Sequence, residues 1–491
     1  MGKLHRTRFI RELNKRWERK KVNLKVEKRP FMLWSLATIL SIIGSCVFND
    51  NIGALTIISM FVLVLNVLCI VKKQEKILSL SLLFMLFMYV FHSGQFIAHF
   101  FNSMNDIKKY ENIILILSGE EQTKSLLFLT WCLVAYTFGA LLVNNENIRR
   151  IIDLKYSSKR KFSDVECANI RTIGIILFAV SVIPRVYYDY LKFRAYIAGA
   201  YVNTTTVSLP GWLNLLKDFF ILSLIFLLLG NAKSPNKAKV ILFFSSLYMV
   251  LGMLKGNRGQ QLICIIALFL VYHLLFSRES RWSIAKIVGT IVTIYLLMVF
   301  VSAIGTIRST GDILSLSGFG SILADNSPIA LIMKFLGELG GTDLNLGYAI
   351  RFIPSQHPYN YGINYLAGLT SVYPNFGGLL GKIINYYSYV AVFPVAENYG
   401  GSNIAEAYVN FGPYVGALFF LIVGYLVNRF SYKFTLLCDK KVDLYKIAVM
   451  ASLIPNLILW TRDFFYCMIF QYFWTAVLIM LVRKKHGDNY E

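Results

Sequence analysis

Apolar runs recur along most of the chain, separated by short polar segments. They are roughly 17 to 24 residues long, enough to cross a hydrocarbon core of about 30 Å as helices. The pattern predicts an all-α, polytopic transmembrane helical bundle of about 12 spans. The spans begin near Phe31, Ile52, Ile77, Ser125, Arg171, Gly211, Val240, Gly259, Ile284, Pro413, Tyr445 and Tyr466. Among the connections, we expect Asn144–Asn169 to be a basic polar linker on the cytoplasmic side and Tyr187–Pro210 to be an external segment.

Composition agrees with a membrane protein. Mean hydropathy is +0.55 and 56% of the 491 residues are hydrophobic, which is too apolar for a soluble domain of this length. The spans therefore account for most of the chain.

Positive charge predicts the orientation. The first thirty residues hold twelve Lys/Arg against three Glu and read as a retained cytoplasmic tail. Predicted inner segments carry 36 Lys/Arg and 13 Asp/Glu, whereas the outer ones carry 14 of each. We therefore expect a multi-pass membrane protein with both termini cytoplasmic. Its net charge of +23 needs no nucleic acid and instead attracts membrane lipids.

The predicted organisation has five parts. They are a basic cytoplasmic tail (1–30), spans 1–9 (31–305), a large external loop (306–412), spans 10–12 (413–482) and a C-terminal tail (483–491). The loop is rich in Tyr, Gly and Asn and is predicted to be partly helical. We expect a helix from Pro328 to Gly340, an amphipathic stretch at Leu379–Phe393, and a helix from Asn403 into span 10.

Several chemistries are unsupported by the sequence. No Asp-x-Asp triplet, P-loop or GxGxxG occurs, and no cytoplasmic segment is long enough for a nucleotide-sugar-binding fold. The seven cysteines show no CxxC or Cys/His cluster, so disulfides and zinc are not expected. We predict neither a cofactor nor a metal.

Cations on the predicted outer side are candidates for binding pyrophosphate, because an Arg can hold it with two parallel hydrogen bonds. Arg258 and Lys255 lie in a glycine-containing turn. The alternative role of Arg258 is to extend its side chain to the lipid headgroups. Arg308 and Arg351 bind phosphate or pair with an outer carboxylate. Arg462, beside Asp463, is a phosphate ligand or part of a solvated turn.

A general base must lie within hydrogen-bond reach of the attacking hydroxyl. The loop offers Glu338, Asp343, His357 and Glu406, of which we favour Glu406, His357 and Glu338. Imidazole exchanges protons near neutral pH, although a structural hydrogen bond is an equal alternative for His357. Glu406 has its own alternative, a capping box from Asn403.

The loop tyrosines can stack on sugar rings, but for most of them packing or a membrane-interface belt is the better interpretation. Tyr361 and Tyr365, in Tyr-Gly-Ile-Asn-Tyr, are the best candidates for glycan contact.

Four motif segments now suggest a family. They are Glu338-Leu-Gly-Gly-Thr342, Pro358-Tyr-Asn-Tyr361-Gly362-Ile-Asn-Tyr365, Tyr373-Pro-Asn375 and Gly401-Ser-Asn-Ile-Ala-Glu406-Ala-Tyr408-Val-Asn410-Phe-Gly412. In this order, within a many-span framework, they resemble the Wzy-type O-antigen polysaccharide polymerases. Asn403 and Tyr408 of the last motif join the glycan candidates.

The resemblance implies transfer of a growing glycan from a polyprenyl diphosphate to the non-reducing end of another lipid-linked repeat unit. It places the protein in the bacterial inner membrane and the reaction on the periplasmic face, without nucleotide or metal. The implied partners are undecaprenyl-diphosphate-linked oligosaccharides, with a chain-length co-polymerase and a flippase as candidate protein partners. Two alternatives stay open: an O-antigen ligase, which uses lipid A core as acceptor, and a flippase for lipid-linked oligosaccharide.

Overall fold

The computed structural model describes residues 28–105, 116–156, 162–205, 207–253, 258–276, 295–296, 299, 328–372 and 400–487. Several sequence predictions lie outside these residues: most of the N-terminal tail, Lys255, the span near Ile284, Arg308, the Tyr373 motif and Leu379–Phe393.

The described chain forms fifteen α-helices, numbered here α1 to α15. Helices α1 to α9 are Lys28–Val47, Ile52–Gln74, Leu80–Asn105, Gly119–Leu141, Asn145–Tyr156, Asp164–Thr205, Gly211–Gly230, Pro235–Met253 and Arg258–Phe276. Helices α10 to α15 are Pro328–Leu339, Asp343–Phe352, Ile363–Leu369, Asn403–Lys440, Leu444–Leu459 and Tyr466–Gly487. Short 3-10 helices occupy Gly340–Thr342, Thr370–Val372 and Trp460–Arg462. No strand occurs in this part of the chain, which confirms the all-α class.

Eleven of the twelve predicted spans coincide with described helices. Nine described helices are long and apolar enough to cross a membrane, namely α1 to α4, α6, α7, α9, α13 and α14. These helices support a multi-pass membrane protein.

Helix α6 differs from the sequence prediction. The segment Tyr187–Pro210 was expected to be an external connection, yet α6 continues through it to Thr205 without a break at Pro184. Its 42 residues span about 63 Å, which exceeds the hydrocarbon thickness. The tyrosines and charges that made the segment look like a loop therefore lie on a helix packed against α7.

Helix α5 was not predicted either. It lies inside the stretch 144–169, where basic and polar residues indicated a linker. Ile152 and Tyr156 form its buried face, and the Tyr156 hydroxyl donates to Asp443 Oδ2 at 2.7 Å. The i, i+4 spacing of Ile152 and Tyr156 is typical of a helix face, but the surrounding charged residues made the segment resemble a linker.

The core of the bundle is the pair α4 and α13. Gly139 of α4 faces the backbone of Leu421, and Gly424 of α13 faces the backbone of Tyr136. A methyl group at either glycine would overlap the other helix, so the glycines permit this close approach. Helix α13 begins at Asn403 as predicted and bends at Gly412 (φ 72°), directly before Pro413.

The described ion pairs agree with the predicted topology. Residues assigned to the cytoplasmic side pair with one another, as in Lys76–Asp439 at 2.6 Å and Lys233–Asp164 at 2.8 Å. Arg351 of the loop pairs instead with Glu121, at the predicted external start of α4. The structure thus keeps the two sets at opposite ends of the helices.

Candidate functional site

The described parts of the predicted external loop, 328–372 and 400–412, are docked onto the spans. Helix α10 and the 3-10 turn after it pack on α3. Gln95 of α3 donates from Nε2 to the carbonyl of Gly337 at 2.5 Å. Gly340 lies against Gly94 so closely that a methyl group on either would overlap backbone. The Glu338–Thr342 motif therefore has a fixed position on a membrane-spanning helix.

The second and fourth motifs pair through their backbones. Asn360 N donates to Val409 O at 3.0 Å, and Tyr361 N donates to Asn410 O at 2.9 Å. The Asn410 side chain accepts from Gly362 N at 3.0 Å and donates to Glu406 O at 2.7 Å. Three motif segments that are far apart in sequence thus belong to one packed unit around α3 and α13.

Tyr361 presents its ring to the outside. It has φ 47° and is followed by Gly362 at φ 89°, and a hydrogen bond from Ile363 N to Asn360 O (2.9 Å) closes the turn. A left-handed conformation is unfavourable for an aromatic residue by about 1–2 kcal/mol. The backbone bonds to α13 hold it there with the side chain 77% exposed.

The other predicted glycan contacts are packed inside. The Tyr365 ring lies 5.2 Å from that of Phe419 and 5.1 Å from that of Phe465. Tyr408 is buried, with its ring 5.3 Å from Phe128. Asn403 is fully buried, and neither polar atom of its side chain has a hydrogen-bond partner among the described residues.

Glu406 is buried within hydrogen bonds. Its Oε2 accepts from Trp460 Nε1 at 3.0 Å, and both carboxylate oxygens lie 3.1 Å from Phe465 N. Helix α13 is capped by Ser402, whose Oγ accepts from Ala405 N, so the capping box from Asn403 does not form. The carboxylate instead joins the start of α13 to the turn between α14 and α15.

His92 of α3 was not predicted. Its Nδ1 lies 2.7 Å from Met88 O and its Nε2 lies 2.6 Å from Ser402 Oγ. Met88 O can only accept, so Nδ1 carries the proton and Nε2 accepts from the serine. The signal in the sequence was the polar run His92-Ser-Gly-Gln95 inside an otherwise apolar span.

Arg462 lies where two span ends meet. Its guanidinium carbon is 5.2 Å from the centre of the Phe91 ring, and its Nη1 contacts Gly259 so closely that a methyl group there would overlap it. Arg258 precedes this glycine and begins α9. The structure therefore brings together the backbone of one predicted phosphate-binding turn and the side chain of another.

A second charged cluster lies beside α9. Arg185 and Lys217 are both more than nine-tenths buried and pair with Asp189 (3.2 Å) and Asp218 (3.0 Å) respectively. With Gln260 of α9 they line cavities of about 40 and 30 Å³, the second reaching Asn456 and Leu459 of α14. We refer to these as the Arg185–Lys217 pocket. The sequence did not indicate this pocket, because Asp189 lies in the segment that was expected to be an external connection.

The remaining candidates are dispersed. Arg351 donates to both oxygens of Glu121 at 2.7 Å and to Ile116 O at 3.1 Å. Of its two predicted roles, the structure thus shows the ion pair with a carboxylate. These bonds raise the pKa of Arg351 above its usual value. His357 is exposed in the turn after α11, and Glu338 is half-buried at the end of α10.

Asp343, at the start of α11, is fully buried. Neither carboxyl oxygen has a hydrogen-bond partner among the described residues, and burial raises its pKa well above the usual range. A carboxyl group in this setting is held in its neutral form.

The family model for the O-antigen polysaccharide polymerase Wzy matches residues 31–483, nearly the whole chain. The chain belongs to this family. It is thus an O-antigen polymerase, a multi-pass membrane glycosyltransferase of lipopolysaccharide biosynthesis that acts on lipid-linked oligosaccharide repeat units. The resemblance drawn from the motifs is confirmed. Searches among curated proteins and among solved structures return no match.

Proposed function

We propose that this Wzy polymerase transfers the growing glycan from polyprenyl diphosphate to the non-reducing end of another lipid-linked repeat unit, on the periplasmic face of the inner membrane. The observation that carries the proposal is the convergence of three family motifs onto the helix ends where Arg462 meets the start of α9. A chain-length co-polymerase and a flippase are the proposed protein partners.

The transfer breaks the bond between the sugar anomeric carbon and the diphosphate oxygen, and the electron pair leaves with the polyprenyl diphosphate. The acceptor hydroxyl oxygen forms the new glycosidic bond, and its proton goes to a base. Catalysis needs positive charge where the leaving group develops and a base beside the hydroxyl. No bound metal enters this proposal.

For the leaving group we propose Arg462 and Arg258, with Lys255 and Arg308 as further candidates outside the described residues. The Arg185–Lys217 pocket supports this placement because its Gln260 lies on the first turn of α9. Ionisable residues buried in a membrane-spanning region are costly and are usually retained for function. Arg351 is proposed only as a secondary contact, since Glu121 occupies its guanidinium.

For the base we propose His357, which is exposed and lies three residues before the Asn360–Val409 backbone contact. Glu338 is the second candidate. Glu406 is 3% exposed and has both oxygens in hydrogen bonds, so we assign it to positioning the 460–465 turn. The exposed ring of Tyr361 is the proposed glycan platform.

One observation supports the flippase alternative: the Arg185–Lys217 pocket lies between spans and contains cations. Its two cavities of about 40 and 30 Å³ hold only a few waters each, which is too little for an oligosaccharide. The pocket is therefore too small to be a path for a transported glycan.

The proposal can be tested with the purified full-length protein in lipid vesicles and a synthetic polyprenyl-diphosphate-linked repeat unit. We expect a ladder of products and release of polyprenyl diphosphate, unchanged by EDTA. Lys217→Met and Arg462→Met should lower the rate at least tenfold, whereas Lys233→Met, at the opposite end, should not. Product formed only after lipid A core is added would contradict the polymerase in favour of a ligase.

A further inference from the structure

A basic crevice lies at the end of the bundle opposite the candidate site. It has a volume of about 480 Å³ and is formed by α13, α14 and α15, with α5 at its edge. Its cations are Lys155, Arg429, Lys433 and Lys446, and its one carboxylate is Asp443. Four positive charges against one negative charge leave the lining at +3.

The cations are not neutralised by neighbours. No ion pair between described residues engages any of the four. Asp443 is occupied by two neutral donors, the Tyr156 hydroxyl at 2.7 Å and Lys446 N at 3.1 Å. Like charges grouped in one crevice repel one another, so the site is suited to an anion that relieves the repulsion.

The walls of the crevice are apolar. They include Leu426, Val449, Ala476, Ile479 and Met480. On α13, Leu418, Ile422 and Leu426 are exposed at intervals of four residues, so an apolar stripe runs from the crevice along the helix. A free phosphate would fill the basic rim alone, whereas an acyl chain can also cover the stripe.

We propose that this crevice binds an anionic glycerophospholipid of the surrounding bilayer, with its phosphate at the basic rim and an acyl chain along α13. The sequence assigns this end to the cytoplasmic leaflet, where anionic headgroups attract clustered Lys and Arg. The bound lipid bridges α13 to α14 and α15. Glu406 lies at the far end of α13, and Trp460 directly follows the far end of α14. The proposal does not depend on the reaction proposed above.

The test is native mass spectrometry of the full chain released from vesicles containing equal phosphatidylglycerol and phosphatidylethanolamine. We expect the wild type to retain phosphatidylglycerol at least tenfold over phosphatidylethanolamine. The double variant Lys433→Gln/Lys446→Gln should lose that retention by about fivefold per cation removed. Size-exclusion chromatography confirms that each variant is folded.

A matched control removes two cations from the same end but outside the crevice, Lys72→Gln/Arg149→Gln, and should keep the wild-type retention. Ala476→Trp fills the apolar wall without changing charge and should lower retention of the lipid. The proposal is overturned if the control loses as much as the crevice variant, if the crevice variant loses nothing, or if inorganic phosphate competes as well as phosphatidylglycerol does.

Discussion

The indole Nε1 of Trp460 donates to Glu406 Oε2 at 3.0 Å, which fixes the start of α13 to the end of α14. Arg462 is two residues beyond this indole and reaches Gly259. The hydrogen bond therefore sets the place of the guanidinium proposed to bind the diphosphate. Because both oxygens of Glu406 are held by these donors, we expect the carboxylate to act by positioning Arg462 rather than by proton transfer.

Trp460→Phe and Glu406→Gln should consequently have similar effects. Each disturbs the buried hydrogen bonds at a cost of about 1–3 kcal/mol in the free energy of unfolding. Each should also lower the polymerisation rate by displacing Arg462. Thermal unfolding and the vesicle assay measure both quantities. Full activity of Trp460→Phe beside complete inactivity of a well-folded Glu406→Gln would show instead that the carboxylate is the base.

Arg351 and Glu121 provide a matched pair of variants. Their ion pair is bidentate but partly exposed, so breaking it should cost no more than about 1 kcal/mol. If Arg351 also contacts the diphosphate, Arg351→Gln should reduce polymer yield more than Glu121→Gln does. Equal yields from the two variants at equal stability would assign Arg351 to structure alone.

Variants of Tyr361 can distinguish an effect on folding stability from an effect on glycan binding. Asn tolerates the left-handed conformation better than Tyr, so Tyr361→Asn should leave the unfolding free energy unchanged or raise it by up to about 1 kcal/mol. Activity should fall because the stacking ring is lost, whereas Tyr361→Phe should retain most of it. A kinetic comparison at varied acceptor concentration tests this, and an active Tyr361→Asn would refute the platform.

Asp343 should make stability depend on pH. Its folded pKa is raised by burial, so the folded state keeps a proton that the unfolded state releases above about pH 4. Wild-type stability should therefore fall as pH rises, by at most about 1.4 kcal/mol per pH unit, until the folded pKa is passed. The Asp343→Asn variant should not show this decrease in stability with rising pH. Unfolding curves from pH 4 to 8 should diverge in favour of the variant, and parallel curves would contradict a neutral buried carboxyl.

Much of the fold was predictable because membrane-spanning helices can be recognised in a sequence as long apolar runs. The starts of the helices at Pro328 and Asn403 followed from local signals, whereas the bend of α13 at Gly412 was not predicted. Helices α5 and α6 were mispredicted because their charged residues resembled loops. Arg185 and Asp189 are four residues apart, so their ion pair follows from local spacing once the segment is known to be helical.

The site was predictable in composition but not in role. Motif order indicated the family. Glu406, Arg351 and Tyr361 were identified separately, as a carboxylate, a cation and an aromatic residue of the predicted loop. The residues that contact them could not be predicted. Trp460, Glu121 and Asn410 lie between 49 and 230 positions away in sequence, and the contacts depend on helix packing. His92 and Lys217 were missed for the same reason.

Deletion of the gene, followed by gel analysis of the surface glycan, tests the central claim most directly. If the chain is the polymerase, the ladder of repeat units should disappear while a single repeat unit attached to lipid A core remains. Re-expression of the wild-type chain should restore the ladder. Loss of the single repeat unit together with the ladder would contradict the account and favour a ligase or a flippase.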